Sequence, residues 1–217
     1  MSKTKLHTKY ETREAWLIAA IAAMTPRFES KNYKVPTLRV ACGWPSSRAL
    51  SRKKRCLGEC WSKESSTDKK PQIFISPYLD EAASDTGVLA TLVHEVVHAV
   101  VGNKEGHNKV FGECARAVGL AGKLTATEAG PELMQKMKTW SDALGEYPHA
   151  RLDLFKSPVK KQTTRMVKAE CGDCGYTVRT SRKWLEEAGA PLCPCNKKSM
   201  GFEIPDELDS DEGEGDE

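Results

Sequence analysis

The chain has 217 residues, of which 39% are hydrophobic and 29% charged, enough for one well-buried domain with a small appendage. Its longest apolar run, Ala15 to Met24, is about half of the ~20 residues a membrane-spanning helix needs, and no apolar signal core directly follows Met1-Ser2-Lys3-Thr4-Lys5, so an intracellular, cytoplasmic chain with no membrane partner is expected. The net charge of +3 conceals two opposed regions: residues 206–217, DELDSDEGEGDE, hold eight acidic and no basic side chains, leaving 33 basic against 22 acidic residues, or +11, over residues 1–205. A basic body of this kind favours DNA or another anionic partner, and an acidic tail can compete for the same surface.

In chain order, Trp16, Leu17, Ala20, Ile21 and Met24 form a stripe that predicts an amphipathic helix over 11–24, with Pro26 just beyond it. Residues 36–42 alternate around Leu38 and Val40 and read as a strand ended by Gly43-Trp44-Pro45. The stretch 46–70 is polar and rich in Lys, Arg and Ser, interrupted by Cys56-Leu57-Gly58-Glu59-Cys60-Trp61. Ile73, Phe74 and Ile75 mark a short buried strand stopped by Pro77. The strongest helix signal spans 85–101, where Val88, Leu89, Leu92, Val93, Val96, Val97, Val100 and Val101 make a broad apolar band closed by Gly102. Further helices are expected over 108–118, closed by Gly119, and from about Pro131 to Leu144, where proline at the first turn loses no hydrogen bond.

The 85–101 helix carries His94-Glu95-Val96-Val97-His98. Histidines at i and i+4 lie one above the other on a helix face, so both imidazoles can reach one zinc ion. Glu95 is then placed to act as general base toward a water whose pKa such an ion lowers. A catalytic site needs a third protein ligand and an open position. His107 is the preferred candidate, because Gly102 and Gly106 flank a turn that returns the chain toward the helix. Glu113 is the rival; six positions from His107, it points elsewhere if both sit on one helix.

Eight cysteines remain to be placed: Cys42, Cys56, Cys60, Cys114, Cys171, Cys174, Cys193 and Cys195. Cys171-Gly172-Asp173-Cys174 is half of a zinc knuckle, Val178 and Arg179 suggest a returning strand, and Cys193-Pro194-Cys195 supplies the second pair. Four thiolates fill a tetrahedron, so this second zinc is expected to be structural and to stabilise a module too small to fold on apolar burial. Arg165, Lys168, Arg179, Arg182, Lys183, Lys197 and Lys198 make the module basic. Tyr176, Trp184 and Phe202 either stack on nucleic-acid bases or form a mini-core. Cys114 is expected in the core; Cys42, Cys56 and Cys60 are either packed thiols or part of another metal site.

Taken together, His94-Glu95-Val96-Val97-His98, Gly106-His107-Asn108-Lys109-Val110-Phe111, Gln72-Ile73-Phe74-Ile75-Ser76-Pro77, the Gly58-Glu59-Cys60-Trp61 segment and the cysteine module resemble the SprT-like metallopeptidases, which include the Spartan proteases. The resemblance covers most of residues 30–200. It implies an α+β, zincin-like core, a catalytic zinc held by His94, His98 and His107, Glu95 as general base, and a C-terminal zinc ribbon. Spartan-type members cleave proteins crosslinked to DNA. Two departures stand out: the interval from His98 to His107 is shorter than in Spartan proteins, and the last cysteine pair is separated by one residue instead of two.

The organisation expected is a metallopeptidase domain at 1–147, a linker at 148–165, a zinc ribbon at 166–204 and a disordered acidic tail at 205–217. The leading functional expectation is a zinc endopeptidase acting on DNA-associated proteins. A non-proteolytic DNA-binding or transcription-associated factor with two structural zincs comes second, and a hydrolase of non-peptide bonds third. Nothing in the sequence specifies an oligomeric state.

Overall fold

A computed structural model describes residues 9–51, 54–84, 86–152 and 166–204. The chain divides into two compact units, residues 1–155 and 156–217, each α+β. Most of the expected linker (153–165) and the whole acidic tail (205–217) lie outside the described residues.

In the first unit, helix α1 (Arg13–Glu29) opens on Thr12, whose hydroxyl accepts the Ala15 N–H at 3.1 Å. Trp16, Leu17, Ala20, Met24 and Phe28 form its buried face. The sequence places the end of this helix before Pro26, yet it runs on to Glu29 with Pro26 inside. Tertiary contacts outweigh the lost backbone bond: Phe28 is fully buried, while the Arg27 side chain donates to the Val118 carbonyl and pairs with Glu132 at 2.6 Å.

Three short strands follow. β3 (Gln72–Ile75) is central, with β1 (Arg39–Cys42) parallel on one side and β2 (Gly58–Trp61) antiparallel on the other. The expected strand over 36–42 is therefore confined to its last four residues. Val40 and Cys60 both stand opposite Ile73 and are buried with it and Ile75. This face packs on α1 and on α2 (Val88–Val101), where Val88, Leu89, Leu92, Val93, Val96 and Val97 are buried. The helix begins three residues later than the apolar pattern indicates; Asp85 lies outside the described residues.

Helix α3 (Lys109–Val118), a hairpin of β4 (Leu120–Lys123) and β5 (Ala126–Ala129), and α4 (Pro131–Leu144) complete the unit. Gly119 closes α3 in the left-handed region, and Pro131 starts α4. Cys114 is fully buried in the core, as expected.

In the second unit, β6 (Met166–Glu170) lies between β7 (Thr177–Ser181) and β8 (Gly201–Phe202), all antiparallel, and α5 (Arg182–Ala188) follows β7. Its buried cluster is Ala169, Cys171, Cys193 and Met200, with Val178 against it. Tyr176, Trp184 and Phe202 are 48%, 56% and 38% exposed, which removes the mini-core alternative for these aromatics. No described helix is long and apolar enough to cross a membrane.

Candidate metal centre

Helix α2 presents His94, half-buried, and His98, buried, on one face, four residues apart. Gly102 then ends the helix at φ +94°, a turn of 3-10 helix spans Asn103–Glu105, and Gly106 reverses the chain at φ +50°. Both angles are in the region that favours glycine. Asn103 ties this turn to β2: its Nδ2 donates to the Cys60 carbonyl, and its Oδ1 lies 3.7 Å from Cys60 Sγ. The chain arrives at His107, and Asn108 caps α3 by accepting the Val110 and Phe111 N–H groups at 2.9 and 3.3 Å.

The result is a convergence of three imidazoles. His107 Nε2 is 3.2 Å from His98 Nε2 and 3.3 Å from His94 Nε2. Nitrogens bound tetrahedrally to zinc at roughly 2.0–2.1 Å stand about 3.3–3.4 Å apart, so the observed spacing fits a shared zinc ion. Protonation is also suitable. Burial, reinforced by the charge of His107, pushes His94 down to about 4. Burial, then the charges of His94 and His107, pushes His98 down to about 3, and burial lowers His107. At neutral pH the three rings are neutral and keep lone pairs for a metal. Glu113, the rival ligand, is exposed, pairs with Lys109 at 3.8 Å and is not among the converging groups.

Two residues of this centre were given no role in the site by the sequence reading, although Phe111 ends one of its motifs. Phe111 on α3 is fully buried, with its ring centroid 5.0, 4.5 and 4.9 Å from those of His94, His98 and His107, forming a common floor. Thr127 on β5 places Oγ1 2.8 Å from His94 Nδ1. With the ring proton on Nδ1, that nitrogen donates to the hydroxyl and Nε2 faces the cluster with its lone pair. By contrast, His98 Nδ1 is buried without a partner among the described residues. The hydrophobic spacing of α3 points to Phe111 as core; no local signal in the exposed 120–129 hairpin marks Thr127.

Glu95 is only 5% exposed, and burial, then the charge of Glu59, pushes its carboxyl up to about 8. The carboxylate packs against the first residue of β2. A β-carbon on Gly58 would stand 2.7 Å from both Glu95 Oε1 and Thr91 Cγ2, closer than side chains approach, so glycine is needed there for contact reasons. Cys60 is buried beside this strand and Cys56 is half-buried, its Sγ donating to the Gly58 carbonyl at 3.0 Å. Neither these thiols nor Cys42 belong to a metal-competent group among the described residues.

The four C-terminal cysteines gather in the second unit. Cys174, Cys193 and Cys195 have Sγ separations of 3.2–3.5 Å, and all four ligand atoms lie within 4.8 Å of one another, with no disulfide. Sulfurs on a zinc ion at roughly 2.3 Å stand about 3.8 Å apart, so this cluster is slightly contracted but fits. Each pair is held in a tight turn: the Gly175 N–H donates to the Cys171 carbonyl, and the Lys197 N–H to that of Cys193. Backbone N–H groups of Cys174 and Asp173 pull the Cys171 thiol down to about 7, whereas the crowded sulfurs raise Cys174 and Cys195. The single-residue spacing of Cys193 and Cys195 does not keep their sulfurs apart.

Comparison with known proteins adds one finding. Residues 29–130 match the model of the SprT-like family, while no curated protein and no solved structure matches the chain. The matched stretch contains α2, the Gly102–Gly106 turn, His107, Phe111 and Thr127, and stops short of the cysteine cluster. Residues 29–130 are thus similar to the SprT-like family, a family of zinc-metallopeptidase type.

Proposed function

We propose that the first unit is a zinc-dependent endopeptidase and that its substrates are proteins associated with DNA. The observation that carries the peptidase reading is the convergence of His94, His98 and His107 Nε2 on the helix that also holds Glu95. Three protein nitrogens leave one tetrahedral position open, the arrangement of a catalytic site, whereas the four-cysteine cluster fills its own. A zinc ion bound to the histidines supplies Lewis acidity toward water and a peptide carbonyl. The charge of a zinc ion at the histidines would favour the ionised form of Glu95, which would then accept the proton of the attacking water and return it to the leaving amine. The glycine at 58 leaves room for the Glu95 side chain, and the Thr127 hydroxyl meets His94 Nδ1 at 2.8 Å.

The DNA association is supported by charge and exposed surface. The first 205 residues carry +11, and the second unit exposes Tyr176, Trp184 and Phe202 among basic side chains. The competing account, two structural zincs in a non-proteolytic factor, gives Glu95 no task. The test is cleavage of a DNA-binding protein by zinc-loaded protein, with single-stranded, double-stranded or no DNA. Glu95→Gln is expected to retain zinc and to lose at least 10²-fold in rate; wild-type cleavage by that variant would remove Glu95 as base. Stimulation by DNA is expected, and equal rates in all three conditions would leave a peptidase without the DNA association.

A further inference from the structure

Near the first residue of β2, two guanidinium groups gather on one tyrosine. Arg55 Cζ lies 3.8 Å from the centroid of the Tyr78 ring and Arg151 Cζ lies 3.7 Å from it, so the two charges are within 7.5 Å of each other. The ring's π-electrons attract both cations but accept none of their directed N–H hydrogen bonds. Among the described residues neither guanidinium makes a hydrogen bond or ion pair with an acidic side chain, and Arg55 Nε is buried without an acceptor. The cluster is built into the fold. His149 Nε2 and the Leu152 N–H both bond the Pro77 carbonyl, at 2.9 and 3.1 Å, which lays the 149–152 segment along Tyr78. The Ser76 N–H donates to the Leu57 carbonyl at 2.9 Å, which fixes the 55–57 segment on its other side.

Two like charges held together with unused donors form an incomplete site whose missing partner is an oxyanion. The position bears on catalysis. Arg55 is three residues from Gly58, where an added β-carbon would meet Glu95 Oε1 at 2.7 Å, and three residues span at most ~10 Å. Since an extended peptide rises ~3.3 Å per residue, the cluster is in reach of a side chain about three to five residues from the bond Glu95 serves.

Resting on the peptidase reading, we infer that Arg55 and Arg151, stacked on Tyr78, form a specificity subsite for an Asp or Glu side chain of the polypeptide substrate. The surroundings favour a carboxylate on a peptide over a nucleic-acid backbone. Tyr78 and Arg151 each stand two residues from an open cleft lined by Asp80, Glu81, Asp142, Glu146 and His149. A phosphate backbone carries a charge at every nucleotide, so a strand crossing the arginines would run against these carboxylates. A polypeptide can present an acid to one patch and a neutral or basic side chain to the next.

The test uses the full chain loaded with zinc and carrying Glu95→Gln, so that binding is read without cleavage. Fluorescence anisotropy compares a labelled Ala/Lys-framed peptide containing one Glu, the same peptide with Gln in its place, and a single-stranded oligothymidine. The Glu peptide is expected to bind at least about tenfold more tightly than the Gln peptide, with the difference lost in Arg55→Gln and in Arg151→Gln. Arg151 is exposed, so its variant carries the test even if Arg55→Gln fails to fold. Equal binding of the two peptides overturns the inference. So do a preserved Glu preference in the variants, and loss of oligothymidine binding in them without loss of peptide discrimination, which assigns the arginines to phosphate. If discrimination holds but the wild type cleaves no protein substrate, the peptidase reading fails and the subsite stands.

Discussion

Two histidines of the first unit stand on α2 and the third in the turn leading to α3, over a core of Leu92, Val93, Val96 and Phe111, whereas the four cysteines of the second unit close two turns over little more than Ala169, Val178 and Met200. The spacing of donor atoms is of the kind zinc requires in both clusters. The support differs. Apolar burial holds the imidazoles in place before a metal arrives, so binding energy there is free for chemistry. In the ribbon a bound metal would provide the missing core, and binding and folding would then be one event.

The largest effect expected from this contrast is on the ribbon. Removing zinc with a strong chelator is expected to unfold residues 166–204, since structural zinc supplies about 10–16 kcal/mol in modules of this size. Over residues 9–152 the helices are expected to persist. Amide NMR spectra of the full chain, before and after chelation, separate the two: collapse of the 166–204 resonances alone is predicted. A ribbon that keeps its dispersed resonances without metal would erase the distinction.

A smaller effect is expected where the histidine site borrows its rigidity from the core. Phe111→Ala removes the floor under all three imidazoles and leaves a cavity in a fully buried position. The cost is about 3–5 kcal/mol of first-unit stability, read by chemical denaturation of the metal-free protein. The ribbon's response to zinc should be unchanged by this substitution. A loss below about 1 kcal/mol would show that the rings do not depend on Phe111.

The same contrast governs what was legible in the sequence. Cys171–Cys174 and His94–His98 announce themselves because a tight turn and a helix repeat at fixed spacing, and His107 could be found through the glycines at 102 and 106. Glu113 was separable only by geometry, since exposure and pairing with Lys109 are not written in spacing. The end of α1 was misplaced because Pro26 is a local signal, while Phe28 burial and the Arg27 contacts are tertiary. β2 was hidden in a polar stretch, as a four-residue edge strand with Gly58 and Glu59 shows no apolar alternation. Arg55, Tyr78 and Arg151 meet only through folding, and no pattern along the chain links them.

Thr127 is the finest test of the difference between the clusters. It lies on an exposed hairpin and its hydroxyl meets His94 Nδ1 at 2.8 Å, so its effect passes through the orientation of one ligand ring. Thr127→Val keeps the shape and removes the acceptor, freeing the ring to adopt the tautomer that puts the proton on Nε2. Zinc affinity at the histidine site is expected to fall about tenfold to a hundredfold, with Thr127→Ser close to wild type. Competition against a chromophoric chelator measures the affinity, and a thermal melt of the metal-free protein verifies that the fold is intact. The ribbon supplies its own control within the same titration, because its cysteines sit in turns closed by their own backbone bonds, Gly175 N–H to the Cys171 carbonyl and Lys197 N–H to that of Cys193. Equal zinc affinity in Thr127→Val and wild type would mean that helix α2 and Phe111 alone orient His94, making the hydroxyl incidental.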